Sequence, residues 1–275
     1  MIHMRLLLIF VTYFLVVSCQ KSAVDEGQSY DMIVEGGINT MYKEQYIQLK
    51  KLDGMKSNTG TIGISGASVR VTNGPNMIEF KDLGEGLYLG ELFNLKDTVG
   101  NVFQLTITLN GKLYEAQDQL IPVVPIENAF LPVEKSKVNN TWEVKVSKHL
   151  FGMRTSNKWL ILPKKDFSED DISSFRSPFS YSYRLGAPNV LNNLLGKTYN
   201  YEVSLKDSLI VSKFSESPRY SRFIYNLFQE TEWKGLLSAV PANVEGNISN
   251  NALGFFYVMD GVRKSIPMKD IRTSK

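Results

Sequence analysis

Short segments of alternating apolar and polar residues, separated by turn-forming residues, limit the fold of this chain more than any other feature. Between residues 30 and 122 they occur at 32–38, 44–52, 67–72, 77–81, 86–92, 102–109 and 112–120. Alternation places one set of side chains on a buried face of a sheet, and closely spaced strands of this kind are typical of a β-sandwich. We therefore predict an all-β fold that begins with an immunoglobulin-like sandwich over residues 30–122.

Two Asn-Gly dipeptides, Asn73-Gly74 and Asn110-Gly111, predict tight hairpins. A two-residue type I′ turn needs positive φ at both central positions, which Asn and Gly tolerate. At the second hairpin this loop would keep the apolar side chains on one face and the polar ones on the other, which specifies the register. The predicted pairs are Leu109–Lys112, Ile107–Tyr114, Leu105–Ala116 and Thr106–Glu115.

A proline-containing apolar stretch, Ile121–Ile126, predicts an extended linker and a domain boundary near residue 122. Residues 123–275 then predict a second β-rich domain, because alternation resumes around Trp142, Trp159 and Tyr201. Asp260-Gly261 is interpreted as a further hairpin turn.

One amphipathic helix is predicted at about 218–234. Ser217-Pro218 combines an N-cap residue with a proline in the first turn, and Gly235 is a typical stop. Apolar residues follow at helical spacing, so we expect this helix to pack on the second sheet. They are Tyr220, Phe223, Ile224, Leu227 and Phe228.

Residues 1–18 have the layout of an export signal. Arg5 supplies a positive charge, and the apolar run that follows is too short to span a bilayer, which needs about 20 apolar residues. The run ends in Leu15-Val16-Val17-Ser18-Cys19, which resembles a bacterial lipobox. In that interpretation Cys19, the only cysteine of the chain, becomes the lipidated first residue of the mature protein. An ordinary cleaved signal peptide is the alternative.

A polar segment follows the cysteine, and we interpret residues 19–29 as a tether. Lys21 followed by Asp25 and Glu26 resembles the surface-export signal of Bacteroidetes lipoproteins, and a plain solvated linker is the alternative. We therefore expect the protein to be anchored in the outer membrane by lipid on Cys19. If the segment is an export signal, we expect the folded part to be exposed at the cell surface.

The residue types that carry catalysis are sparse. His149 is the only histidine left once the signal carrying His3 is removed, and no Gly-x-Ser-x-Gly elbow accompanies it. Glu169-Asp170-Asp171 lacks the spacing of a calcium loop, so we interpret it as a solvated turn. The formal charge is +3 without a basic block, which argues against nucleic acid as a partner. We predict no enzymatic activity, no catalytic residues, no metal and no cofactor.

An aromatic stretch is the candidate for ligand binding. Phe179, Tyr181 and Tyr183 would share one face of an extended strand. Aromatic faces stack on sugar rings and anchor interfaces, so a carbohydrate or peptide ligand is the hypothesis. The alternative is that these side chains fill the second core. Thr98 and Ser208 each follow an aspartate in a three-residue pattern that resembles an O-glycosylation site, so both are candidate acceptors.

Three stretches together resemble a family of Bacteroidetes lipoproteins known as domain of unknown function 4249. They are residues 32–36, residues 66–71 with 84–88, and residues 243–249 with 252–256. The resemblance implies an outer-membrane lipoprotein that accompanies a TonB-dependent receptor in nutrient uptake, and it transfers no catalytic residue. A structural or adhesive surface module and a hydrolase with an unrecognised site are the alternatives.

Overall fold

The computed structural model describes residues 30–52, 61–92, 102–139, 141–146, 157–163, 180–183, 201–231 and 244–273. Strands make up most of this part of the chain, which confirms the predicted all-β class with one α-helix. The strands are β1 (Met32–Asn39), β2 (Glu44–Leu52), β3 (Thr61–Gly63), β4 (Ser68–Asn73), β5 (Asn76–Asp82), β6 (Leu87–Glu91), β7 (Val102–Leu109), β8 (Lys112–Gln119), β9 (Val133–Val138), β10 (Thr141–Val146), β11 (Asn157–Pro163), β12 (Ser180–Tyr183), β13 (Tyr201–Val203), β14 (Ser208–Ser215), β15 (Ala252–Met259) and β16 (Gly261–Pro267). The helix α1 spans Pro218–Thr231, and short 3₁₀ turns lie at Asn128–Phe130 and Met268–Asp270.

The first sheet has nine strands in the order β15-β1-β2-β6-β5-β4-β7-β8, with β3 paired to β2. It curls into a nearly closed, sandwich-like arrangement, and its two halves join through only two residue pairs between β5 and β6. The inward side chains of both halves form one core. Each of the seven strands predicted from alternation is present. The sheet also contains β3, which the sequence does not predict, and β15, whose residues the sequence predicts as a strand of the second segment.

The predicted register of the β7–β8 hairpin is confirmed. Ile107 lies opposite Tyr114 and Leu105 opposite Ala116, and all four side chains are buried. The β4–β5 hairpin differs by one position, because Asn73 pairs with Asn76 and the turn is Gly74-Pro75. Gly74 supplies the positive φ (57°) and the proline ring fixes the next φ, so the turn chemistry comes from Gly-Pro rather than Asn-Gly.

The C-terminal strand β15 belongs to the first sheet, although the sequence interpretation assigned it to the segment 123–275. It pairs in parallel with β1 along its whole length, from Met32 opposite Ala252 to Asn39 opposite Met259. The next strand, β16, pairs with β14 in a different sheet. The prediction of a hairpin at Asp260-Gly261 is therefore wrong, because the two strands that flank this dipeptide enter different sheets.

The gap between β8 and β15 is bridged by residues 247–250. The Asn247 amide donates to the carbonyl oxygens of Gln117 (3.0 Å) and Phe256 (2.8 Å), and it accepts the Phe256 N–H (2.9 Å). Ser249 exchanges two hydrogen bonds with the backbone of Glu115, both at 2.8 Å. This segment, part of the stretch that most resembles the lipoprotein family, therefore has a structural role in closing the sheet.

Asp118 makes a further bond across the same gap. It is 5% exposed, and its carboxylate accepts the Val258 N–H of β15 (2.9 Å). Burial raises the pKa of Asp118, opposed by hydrogen bonds from Ser217 and from backbone N–H groups. Because the folded protein then holds this proton more tightly than the unfolded chain, the contribution of Asp118 to stability is largest at low pH and is lost as the pH rises through the raised pKa.

We predict that Asp118→Asn removes this pH dependence. Asparagine keeps an oxygen acceptor and carries no charge to desolvate, so the variant should match or exceed the wild type at neutral pH. Free energies of unfolding in urea, measured from pH 4 to pH 8, test it. Asp118→Ala is the comparison and should lose about 1–3 kcal/mol, because buried donors lose their acceptor. A steeper pH dependence in Asp118→Asn than in the wild type would contradict the assignment.

The remaining strands form two smaller sheets, β13-β10-β9 and β12-β11-β14-β16, which share a second core. Trp159, Val211 and Ile266 from one sheet are buried with Val133 and Val144 from the other. We call these two sheets the second unit. It confirms a β-rich segment after the prolines, although β15 leaves it to join the first sheet.

Helix α1 begins at the predicted cap, where the Ser217 hydroxyl accepts the Tyr220 N–H (3.1 Å). We expected its aromatic residues to pack on the second sheet alone, but their ring contacts are with β15 of the first sheet, in a cluster that also includes Phe214 of β14. The Tyr220 ring centroid lies 5.3 Å from that of Phe255 and 4.8 Å from that of Tyr257, and Phe223 lies 5.1 Å from Phe255. The residues predicted to end the helix, near Gly235, lie outside the described part of the chain.

Candidate functional site at the tether end of the first sheet

The described chain starts at one end of the first sheet, which we call the tether end. It comprises residues 30–32, 50–52, 61–67, 82–87, 109–113 and 250–252. Here β1 begins, β2 ends, and the β7–β8 hairpin turns. The position of this end matters for function because residues 19–29, the predicted tether, lead into it.

Asp31 holds the first described residues against the end of the sheet. Its N–H donates to the carbonyl oxygen of Asn251 (3.0 Å), and its carboxylate accepts the Tyr114 hydroxyl (2.9 Å) and the Lys112 ammonium (3.2 Å). These partners, first Tyr114, lower the pKa of Asp31, and burial beside the carboxylate raises the pKa of Tyr114 to about 12. The first described residues are thus bonded to both β8 and the turn before β15.

Asp82 organises the turn between β5 and β6. One carboxylate oxygen accepts the Gly84 N–H (2.7 Å) and the other accepts the Gly66 N–H (2.6 Å) from the segment before β4. The N–H of Gly66, then that of Gly84, lower the pKa of Asp82 because they stabilise its charged form. An aspartate side chain that accepts a backbone N–H two residues ahead is typical of turns. Here the same side chain also links the β5–β6 turn to the segment before β4.

Glycines allow these loops to pack backbone against backbone. A Cβ on Gly63 would lie 2.1 Å from the carbonyl oxygen of Glu85, and one on Gly86 would lie 2.1 Å from that of Leu49. The buried Tyr88 adds its hydroxyl, which donates to the Ile64 carbonyl (2.9 Å) and accepts the Ala67 N–H (3.1 Å). The stretches 66–71 and 84–88, noted for their family resemblance, are therefore in mutual contact.

We predict that Asp82→Asn destabilises the protein in a pH-dependent way. Since the pKa of Asp82 is lower in the folded state, its contribution is present above the ordinary aspartate pKa of about 3.9 and is lost as the pH falls. The stability difference between variant and wild type should therefore be largest at neutral pH and shrink in acid, as measured by urea unfolding. Glu85→Gln removes the same charge from the same turn and is the control. An equal effect of both variants would contradict a specific role for Asp82.

The opposite end of the first sheet, which we call the junction end, meets the second unit. It comprises residues 39–44, 73–76, 119–124 and 259–261. Asp260 accepts the Thr40 hydroxyl (2.6 Å) and the Val123 N–H (2.9 Å), and its N–H donates to the Ser215 hydroxyl (3.0 Å). Four chain segments therefore meet at one aspartate, between the first sheet and the second unit.

Two of the residues predicted for lipidation and ligand binding, Cys19 and Phe179, lie outside the described residues. Tyr181 and Tyr183 lie in the short strand β12, opposite Trp159 and Asn157 of β11. The structure confirms extended backbone at these tyrosines, and ligand binding by them stays a prediction. His149, Thr98 and the acidic stretch 169–171 also lie outside the described part, and Ser208 is the first residue of β14.

Sequence reasoning did not identify Asp31 or Asp82. The available signal at Asp82 was an aspartate two residues before Gly84 at a strand end, with a second glycine at Gly86. Nothing comparable marked Asp31, because its partners Tyr114 and Lys112 come from a distant strand.

Within the described ranges, no group of three or more His, Cys, Asp or Glu side chains is placed to hold a metal ion. Among the helices of that same part of the chain, none is both long and apolar enough to cross a bilayer. No family model and no curated protein matches the sequence.

Proposed function

We propose that this chain is a non-enzymatic cell-envelope lipoprotein, anchored in the outer membrane through Cys19, that binds or assists a TonB-dependent receptor in nutrient uptake. The lipobox-like residues before Cys19 and the family resemblance support the anchor and the receptor, respectively. The structural observation that supports the proposal is the separation of the two ends of the first sheet.

The tether enters at one end of this sheet, and the second unit is connected at the other. β1 runs from the tether end to Asn39 at the junction end, and eight residues of strand span about 26 Å. The crossings at 121–124 and 259–261 both lie at the junction end. In a lipid-anchored protein the first sheet would then act as a spacer that holds the second unit away from the membrane.

The second unit is thus the part we propose to meet the receptor or its ligand. It contains Tyr181 and Tyr183, and Phe179 directly precedes their strand. Tyrosine and phenylalanine rings provide large contact areas for a carbohydrate or a peptide at low entropic cost. A receptor could then contact the second unit while the first sheet stands between that unit and the membrane.

Detergent extraction of the native protein from outer membranes tests the proposal. The expected N-terminal peptide begins at Cys19 and carries fatty acyl groups by mass spectrometry, and a receptor of the TonB-dependent class co-purifies with the intact chain. Phe179→Ser combined with Tyr181→Ser and Tyr183→Ser should weaken that co-purification without removing the acyl groups. An unmodified Cys19 would overturn the anchor. Co-purification with host matrix components instead would favour the adhesive alternative.

A further inference from the structure

The tether end exposes three large aliphatic side chains. Leu52 is 54% exposed, Leu83 is 50% exposed and Ile62 is 44% exposed. Single exposed apolar residues are ordinary on protein surfaces. These three, however, lie on the strand end of β2, on β3 and in the β5–β6 turn, at the same end of the sheet as the predicted tether. Because Ile62 lies opposite Lys51, Ile62 and Leu52 are on opposite faces of the sheet, and a surface that meets this end can contact both of them.

Two of the three positions are held by the packing described above. β3 carries Ile62, and the next residue, Gly63, lies against the backbone of Glu85 and Gly86. The turn that carries Leu83 is fixed by Asp82 and by the Leu83 N–H, which donates to the carbonyl oxygen of Leu87 (2.8 Å). Because these backbones are already ordered, a contact made by Ile62 and Leu83 costs little further backbone entropy.

The length of the tether defines what this end can reach. Residues 19–29 extend at most about 40 Å, and a flexible chain of that length has a typical end-to-end distance of about 20 Å. A flexible link of this length would give a millimolar effective concentration of the anchored surface. A contact too weak for a free protein would therefore be populated in the anchored one.

Charge at this end does not favour a purely electrostatic contact. Lys112 is paired with Asp31 and Lys50 with Glu35, and the exposed Lys51 lies at the same end as the exposed Glu85. A contact with lipid would then depend on the aliphatic side chains and would tolerate salt.

We propose that Leu52, Ile62 and Leu83 insert into the interfacial layer of the bilayer that holds the Cys19 anchor, so that the first sheet stands upright on the lipid. This inference rests on the proposed function, since it needs the lipid anchor. It adds a second membrane contact and an orientation that the anchor alone does not impose.

A single-thiol experiment tests the orientation. Acylation occupies the Cys19 sulfur, and the chain has no other cysteine, so an introduced cysteine is the only reactive thiol. Leu83→Cys at the tether end and Met77→Cys at the other end of β5 are a matched pair, because both side chains are about half exposed, at 50% and 49%. Each purified, acylated chain is labelled with an environment-sensitive fluorophore and reconstituted into phosphatidylethanolamine–phosphatidylglycerol vesicles that contain a nitroxide-labelled lipid.

The expected result is strong quenching of the label at position 83 and little at 77, maintained in 1 M salt, where the Debye length is about 3 Å. Adding Leu52→Ser and Ile62→Ser should reduce the quenching at 83 severalfold. Equal quenching at both positions, or none at either in chains whose acyl mass is confirmed, overturns the inference and leaves the lipoprotein function intact. Protection of position 83 only in native membranes, and not in pure lipid, would assign this end to a protein partner and overturns the lipid contact. If the chains purified from the native membrane carry no acyl group at Cys19 by mass spectrometry, both proposals are overturned.

Discussion

Gly254→Ala is expected to destabilise the protein by about 2–6 kcal/mol. Gly254 lies opposite Val34 in the parallel pairing of β15 with β1, and its φ is +105°. A Cβ at this position would lie 1.9 Å from the carbonyl oxygen of Val34. An unfavourable backbone conformation costs about 1–3 kcal/mol, and forcing apart a packed contact costs about as much again. The free energy of unfolding in urea measures the sum.

Gly74→Ala is the matched control for this prediction. Gly74 also has a positive φ (57°), and a Cβ there meets nothing within 4 Å. The control variant should therefore lose only the conformational contribution, about 1 kcal/mol. If both variants lost the same amount, the close backbone approach of β1 and β15 would not be important for stability.

Local sequence patterns determine the pairing where the partners are adjacent in sequence. In the β7–β8 hairpin, alternation and one Asn-Gly dipeptide determine the register, because the partners are adjacent in sequence and a shift by one residue would expose Tyr114. The start of α1 was equally local, since Ser217 caps a backbone N–H three residues ahead.

Alternation did not predict the long-range pairing of β15. The residues of β15 follow the second unit in sequence and precede an Asp-Gly dipeptide, yet their partner is the first strand of the chain. Alternation is period-two whether a strand pairs with its neighbour or with a distant segment, so it cannot identify the partner. The same limit applies to α1, because its helical periodicity does not identify the distant strand β15 as the partner of its aromatic rings.

Strand β14 was not predicted from the sequence, because it contains buried polar residues. Ser212, Lys213 and Ser215 are all at most 5% exposed, which interrupts the alternation that a half-buried strand would show. The Lys213 ammonium donates to the carbonyl oxygen of Val124 (2.9 Å) and lies 5.2 Å from the centre of the Trp159 ring. These partners are distant in sequence, so nothing local marks Lys213 as a buried residue.

Cys19→Ala is expected to remove the chain from the outer-membrane fraction and to abolish incorporation of labelled fatty acid. Each buried methylene of an acyl chain contributes about 0.8 kcal/mol to membrane binding, and two chains give stable anchoring. A single myristoyl chain already corresponds to a partition constant of about 10⁴ M⁻¹, so the loss of all chains should lower partitioning by at least that order. The folded body should be unaffected, because Asp31 begins the described hydrogen-bond network well beyond the substitution.

A displaced cysteine separates lipobox processing from general acylation of a thiol. The variant with Cys19→Ser and Ser22→Cys keeps one thiol in the tether but places it outside the sequence Val17-Ser18-Cys19. If a lipoprotein-processing system recognises that sequence, this variant should incorporate no more fatty acid than Cys19→Ala. Retained labelling in the displaced variant would mean that the thiol is acylated without regard to its sequence context. The chain would then lack the defined N-terminal anchor that the spacer role of the first sheet requires.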